Sequence, residues 1–277
     1  MGNQYEKING VIRRKHPLMH GCRLAWTPFS NNGIDVWYDG MGLNVPFTIA
    51  LNNDTKMRPS EMGRPFPVLY VGTTSVRTDA KYDTSLARRW CPNDYQFTFM
   101  MFFYAISEEV TDPRVVTFTS KLWVNGTGSG ATERWRCQFQ PTGTTRTMDF
   151  DNPQSVLRLG NWQSIATTID IRHGISATYM NGHIQNDTDA YGTNELGWGT
   201  NDDITIGNRH NNNLYTVEGE YESLFTWERP LSEQEILAMH NEIVSGYQNI
   251  INRGPVAVPI YGPSGANADA RLYPYRV

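Results

Sequence analysis

The sequence predicts an all-β chain, an antiparallel sandwich of short strands followed by one late helix. Three observations carry this. Apolar segments of strand length recur between turn signals along the chain, while helical periodicity is confined to one stretch after Ser232. Aromatic residues make up 12% of the chain, and eight Trp with 14 Tyr supply large buried areas where the hydrophobic share is only 39%. Charged residues are just 19%, with Asn, Thr and Gly abundant, a balance that suits turns and strands and not long helices. At 277 residues the chain is long enough for one large sandwich with short appendages.

Taken in order, FTFMMFFYAI (Phe97 to Ile106) is a continuous apolar run, the pattern of a strand buried on both faces. RVVTFTSKLWV (Arg114 to Val124) reads as a further strand, ending at the turn signal NGTGSG, and WRCQFQ (Trp135 to Gln140) alternates as its partner. Gln163 to Ile171 and Ile175 to Met180 read as a hairpin across Arg172, His173 and Gly174. A second turn at Asn181-Gly182 returns the chain. Asp203 to Gly207 and Glu220 to Trp227 complete the strands. The helix begins at Ser232, a natural N-cap with Glu235 three residues on, and Leu231 and Ile236 can staple it. Ile236, Met239, His240 and Ile243 then form one face, and Gly246 ends it.

The segment from Asn252 onward differs in kind. Pro255, Pro259, Pro263 and Pro274 alternate with small residues, so it is expected to be extended and without a core of its own. Tyr261, Tyr273 and Tyr275 suit either an arm that docks on a neighbour or a tail laid along its own domain. The expected organisation is an N-terminal segment over 1–15, a sandwich over 16–248 and an extended Pro-rich arm over 249–277.

Several function classes are excluded at this stage. The formal net charge is −4 and no long Lys/Arg run occurs, so nucleic acid is not an expected partner; Arg13, Arg14 and Lys15 read as a solvated face. Three cysteines, Cys22, Cys91 and Cys137, show no metal spacing and read as buried or free thiols. The opening MGNQYEKINGVIRR has no apolar region, so no secretory signal is expected, and no apolar run is long enough to span a membrane as a helix. The expectation is a chain made in the cytoplasm.

From Asn161 to His240 a series of motifs follows one another. Asn161-Trp162 opens a strand, Tyr179 to Gly182 closes one in a Tyr-x-Asn-Gly turn, and Ile204 to Gly207 reads Ile-x-Ile-Gly. Gly219 then leads a strand to Trp227, and Arg229 to Ile236 reads Arg-x-Leu-Ser-x-x-Glu-Ile. This order resembles the C-terminal half of a laminin-G-like domain of the concanavalin A-like lectin/glucanase superfamily. The first half fits more loosely, with Asp39-Gly40-Met41-Gly42 in place of the family's turn. The resemblance implies a jelly-roll sandwich, a fold that hosts lectins, pentraxins and some glucanases and so does not fix chemistry.

Glucanases of this fold use paired carboxylates on one strand, and Glu218, Glu220 and Glu222 share a strand face here. The resemblance makes their strand an outer one and the family's glucanase motif is absent, so they read as a solvated edge face. His16, His20, His173, His183, His210 and His240 show no metal-ligand spacing. The resemblance implies calcium as the common cofactor. Asn152, Asn186, Asp187, Asp189, Asn201, Asp202 and Asp203 are oxygen donors, but they also build turns, and no cofactor is expected. The remaining ligand candidates are Trp198, Arg209, His210, Asn211, Asn212, Asn213 and Tyr215, an aromatic platform with amides for a glycan, or an Asn-rich turn with Trp198 packed inward.

Free-standing laminin-G-like chains with a Pro-rich tail resemble virion proteins of tailed bacteriophages. That resemblance implies a non-enzymatic capsid decoration or surface protein in the virion. Its partners would be the major capsid protein, further copies of itself and a cell-surface glycan. Pro255, Pro259, Tyr261, Pro263, Tyr273 and Tyr275 would be its assembly contacts. The alternatives are a carbohydrate-binding receptor or fibre module and a glycoside hydrolase using Glu220 and Glu222.

Overall fold

A computed structural model describes residues 10–30, 36–38, 46–49, 55–72, 80–82, 94–108, 113–118, 121–127, 134–140, 146–149, 159–188, 204–207 and 217–253. Two antiparallel sheets dominate. The smaller has five strands in the order β12 (Arg146–Asp149), β11 (Arg134–Phe139), β10 (Leu122–Thr127), β9 (Arg114–Phe118) and β16 (Ile204–Ile206). The larger runs β15 (His183–Thr188), β14 (Ile175–Met180), β13 (Trp162–Asp170), β8 (Gln96–Glu108), β17 (Val217–Trp227), β6 (Pro67–Val71) and β5 (Thr55–Pro59), with β2 (Cys22–Trp26) also on β17. A small sheet joins β3 (Val36–Tyr38), β4 (Pro46–Ile49) and β7 (Ala80–Tyr82), and a ribbon pairs β1 (Gly10–Ile12) with β18 (Ile251–Arg253).

The predicted sandwich is the observed one, and β8 shows why its sequence reads as continuously apolar. Phe97, Phe99, Met101, Phe103 and Ala105 enter the core between the two sheets, where Phe97 meets Phe118 edge-on at 5.4 Å and Phe103 meets Trp135 at 5.8 Å. Met100 and Phe102 point the opposite way into a second core beneath the helix. Period-two alternation therefore buries both sets, and neither face needs polar residues.

The helix, α1 (Glu233–Val244), starts at the predicted cap. The Ser232 hydroxyl accepts from the Glu235 N–H at 3.3 Å, and the Glu235 carboxylate accepts from the Ser232 N–H at 2.9 Å. Leu231, Ile236, Met239 and Ile243 are buried against the larger sheet, while His240 is half-buried with its Nδ1 2.9 Å from the Ser164 hydroxyl. Burial holds the His240 ring below its ordinary pKa, and the nearby His183 adds to this.

Two expectations require correction. Arg114 to Val124 is two strands: β9 ends at Phe118, and Leu122 of β10 pairs back onto it. The reversal uses Lys121, whose N–H donates to the Phe118 carbonyl at 3.1 Å, with no Gly, Pro or Asn to announce it. The second correction concerns β17, which is central and not an outer strand. β8 runs along one side of it, and β6 and β2 divide the other side between them.

Among the described residues Cys22 and Cys137 are buried and in no disulfide, as the sequence suggests, and burial pushes the Cys137 thiol up to about 12. Among the same residues no helix is long and apolar enough to cross a membrane.

Candidate functional site

The carboxylates of β17 occupy a break in its pairing. β6 bonds at Gly219 to Tyr221 and β2 at Leu224 to Trp227, and the register against β8 shifts between Tyr221 and Ser223. Glu222 is thus the extra residue of a β-bulge at the point where one neighbouring strand gives way to another. Glu218, Glu220 and Glu222 lie on the outer face, away from the inter-sheet core that takes Val217 and Tyr221.

Contrary to the solvated edge that the sequence suggests, Glu220 and Glu222 are both 0% exposed. What covers them is the β5–β6 connection, Ser60 to Phe66, together with the end of α1. Glu220 accepts from Arg58 at 3.1 Å, from the Ser60 hydroxyl at 2.6 Å and from the Glu61 N–H at 2.9 Å. Glu222 takes a two-pronged contact from Arg64, Nε at 2.5 Å and Nη2 at 2.7 Å, and a hydroxyl from Tyr247 at 2.8 Å. Arg64 also donates to the carbonyls of Ile243 at 2.8 Å and Val244 at 3.2 Å, satisfying the last turn of α1. Glu218, half-buried, accepts from the Tyr70 and Ser107 hydroxyls, each at 2.6 Å.

Burial raises the Glu222 carboxyl above its ordinary value, and the Arg64 guanidinium and the Tyr247 hydroxyl pull it part of the way back. Desolvation works against the Arg64 charge as well, but Glu222 outweighs it and the guanidinium is held above its ordinary value. Hydrolysis of a glycosidic bond needs one carboxyl group to donate a proton and the other to attack or activate water. Glu220 and Glu222 have their oxygens occupied by arginine, hydroxyl and amide donors and do not meet solvent. In this arrangement they tie a loop and a helix to the sheet.

Arg58, Ser60 and Arg64 escape a sequence reading because they lie far along the chain from the acids, Arg64 158 residues from Glu222, while Tyr247, 25 residues on, is separated from Glu222 by the helix. The available signal is the loop itself, Pro59-Ser-Glu-Met-Gly-Arg-Pro65, whose Gly63 adopts φ +85°.

The glycan candidates Trp198, Arg209, His210, Asn211, Asn212, Asn213 and Tyr215 lie outside the described residues, as do Pro255, Pro259, Tyr261, Pro263, Pro274, Tyr273 and Tyr275. The structure does describe where the 208–216 segment starts and ends. The Val217 N–H donates to the Gly207 carbonyl at 3.0 Å, and the Gly207 N–H donates to Val115 at 2.8 Å. Nine residues therefore leave and return at one point beside β16. Gly207, at φ +72°, sits so close to Val71 that a Cβ would lie 2.9 Å from its Cγ1.

The other motif residues have equally local reasons. Asn181 (φ 52°) and Gly182 (φ 85°) make the turn, and the Asn181 side chain accepts from the Ser164 N–H at 3.0 Å. Arg229 donates to both Glu235 oxygens, at 2.6 and 3.0 Å, and to the His20 carbonyl at 2.8 Å. It fastens the helix start to the chain's first described segment. Trp162 stacks on Phe102 with centroids 5.2 Å apart and donates to the Met62 carbonyl at 2.8 Å.

A two-sheet jelly roll with its helix packed on the larger sheet defines a lectin-type β-sandwich. The model of the concanavalin A-like lectin/glucanases superfamily matches residues 77–237, more than half of the chain, and the chain belongs to that superfamily. No curated protein matches the chain in sequence.

Among solved structures, the binding domain of Paraclostridial Mosquitocidal Protein 1 is similar with a TM-score of 0.62 at 11% identity, over 82% of this chain and 53% of that one. The binding domain of botulinum neurotoxin serotype G is similar at 0.57 and 13% identity, over 81% and 51%. The chain thus spans about half the length of these two toxin fragments. Domain 4 of AbnA, a GH43 extracellular arabinanase from Geobacillus stearothermophilus solved with arabinotriose, is similar at 0.55 and 13% identity, over 79% of this chain and 98% of that one. These likenesses show the shared fold.

Proposed function

We propose that the chain is a carbohydrate-binding module without hydrolytic chemistry. The observation that carries this is the bond from the Val217 N–H to the Gly207 carbonyl at 3.0 Å beside β16, which holds together the two ends of a stretch whose sequence contains Arg209, four asparagines and Tyr215. Ligand groups are commonly displayed on loops whose ends a scaffold fixes. Two further observations support it: the buried, arginine-bound state of Glu220 and Glu222, and the arabinotriose complex of the similar arabinanase domain. On a glycan array the chain is expected to retain one or more oligosaccharides, and Trp198→Ala and Tyr215→Ala are each expected to weaken that binding about tenfold or more. An array with no retained glycan overturns the reading.

The second reading sets the module on a larger assembly, as a decoration or surface protein of a tailed-phage virion. What favours it is the β1–β18 ribbon, in which Gly10 pairs with Arg253, so the two ends of the described chain lie side by side. Ile12, Ile250 and Ile251 are buried in the second core, so an informative deletion starts at residue 254 and leaves β18 in place. Removal of 254–277 is expected to abolish association with the major capsid protein while thermal unfolding is unchanged. Association at full strength by the shortened chain rules the arm out as the attachment.

A further inference from the structure

Between β1 and the short turn Pro17–Met19 the backbone carries a basic stretch on a rigid support. Ile12, Arg13, Arg14, Lys15, His16 and Pro17 line an open recess of about 710 Å³. Ile12 is buried and His16 half-buried, whereas Arg13, Arg14, Lys15 and Pro17 are exposed. The stretch is held at both ends. The Arg13 N–H donates to the Ile250 carbonyl at 2.8 Å, and the His16 N–H donates to the Arg13 carbonyl at 2.9 Å. Further on, the Trp227 indole N–H donates to the Leu18 carbonyl at 2.8 Å, and Leu18 and Met19 are buried in the second core. A backbone fixed in this way has little freedom to lose when it takes a ligand.

Positive charge is left unanswered here, unlike elsewhere in the described chain. Arg23, Arg58, Arg64 and Arg229 are each paired with a glutamate. Arg14 and Lys15 have no carboxylate partner and no side-chain hydrogen bond among the described residues, and the Lys15 N–H has no acceptor there either. The Leu18 N–H donates to His16 Nδ1 at 3.3 Å, so the neutral ring carries its hydrogen on Nε2 and offers a further donor. None of the described residues that line the recess is acidic. Pro17 adds an exposed apolar ring beside the donors.

We propose that this recess binds a sugar phosphate: Arg14, Lys15 and the Lys15 N–H hold the phosphate, His16 Nε2 donates to it, and the sugar ring lies against Pro17. A phosphate monoester carries about −1.5 to −2 charges at neutral pH and three strong acceptor oxygens. Neighbouring cations and N–H groups gathered in one turn match that concentration of charge and acceptors. A nucleic-acid strand is the poorer fit, since its affinity comes from cations spread along many phosphates, and the chain's formal net charge is −4. The proposal rests on the carbohydrate-binding reading and adds to it a site remote in sequence from 208–216.

The test is calorimetric titration of the full chain with glucose 6-phosphate and mannose 6-phosphate, with the parent sugars, with inorganic phosphate and with a short DNA duplex. At least one sugar phosphate is expected to bind about tenfold or more tighter than its parent sugar and several-fold tighter than inorganic phosphate. Raising the salt from about 50 mM to about 300 mM is expected to weaken that binding severalfold. Arg14→Ala and Lys15→Ala are each expected to weaken it about threefold or more, and Lys15→Glu to abolish it. Thermal unfolding should stay unchanged in all three variants, because both side chains are exposed. Sugar phosphate bound no better than the parent sugar or inorganic phosphate, binding that survives Lys15→Glu, or tighter binding of the duplex overturns this proposal. Each of these leaves the carbohydrate-binding reading standing if the array still retains a glycan in a manner sensitive to Trp198→Ala. Absence of binding to every sugar phosphate and every arrayed glycan overturns both.

Discussion

Arg64→Ala is expected to destabilise the fold by about 3–5 kcal/mol at neutral pH, because it strands Glu222 in the core without its partner. Two carbonyls at the end of α1 lose a donor in the same step. The loss has a characteristic pH dependence. Burial already holds the folded Glu222 carboxyl above the unfolded value of about 4.5, so its contribution is fully present below that value and is lost as pH rises through the folded one. Without the guanidinium the folded value moves further up, and the penalty for ionisation at pH 7 grows. The deficit of Arg64→Ala relative to wild type should therefore narrow markedly between pH 7 and pH 4, measured by urea unfolding. Adding Glu222→Gln should recover most of it at pH 7. A deficit equal at both pH values, or no recovery, would show that the carboxylate is not ionised in the native core.

Gly219→Ala is expected to cost about 3 kcal/mol or more, by the same urea measurement, through overpacking against backbone. A Cβ at this position overlaps the Tyr104 carbonyl oxygen and lies 3.3 Å from the Ala105 Cα. Both belong to β8, the strand on which the whole larger sheet is assembled, so they cannot withdraw without moving the Phe97-to-Ala105 core set. A variant as stable as wild type would mean that β17 and β8 sit farther apart than described.

The parts of this architecture that the sequence reveals are those decided by neighbours in the chain. The Ser232–Glu235 box, the Asn181-Gly182 turn and the apolar run of β8 are each readable within about ten residues, because capping, turn geometry and double burial act locally. Gly219 is visible as part of a motif, but its reason, the approach of the Tyr104 carbonyl, exists only after β17 pairs with β8. The acids of β17 mislead for the same cause. Alternating charge marks an exposed face unless something folds over it, and here the cover comes from Ser60 to Phe66 and from Tyr247, at opposite ends of the sequence. The reversal between Phe118 and Leu122 is missed because the residues between them, Thr119, Ser120 and Lys121, include no Gly, Pro or Asn turn signal. The glycan candidates flank β16, and of them the structure supplies the anchoring of their loop.

The β1–β18 ribbon has a mechanical meaning. Its two strands run antiparallel and Gly10 faces Arg253, so a force drawing the outgoing segments away from each other loads the pairs one after another, Gly10–Arg253 first and Ile12–Ile251 last. Such unzipping needs little force per step. A force on both segments in the same direction leaves those pairs unloaded and falls instead on Ile12, Ile250 and Ile251, which are wedged beside Tyr247 and Phe29. The domain is thus built to resist being pulled off by both ends together and to yield when they are pulled apart.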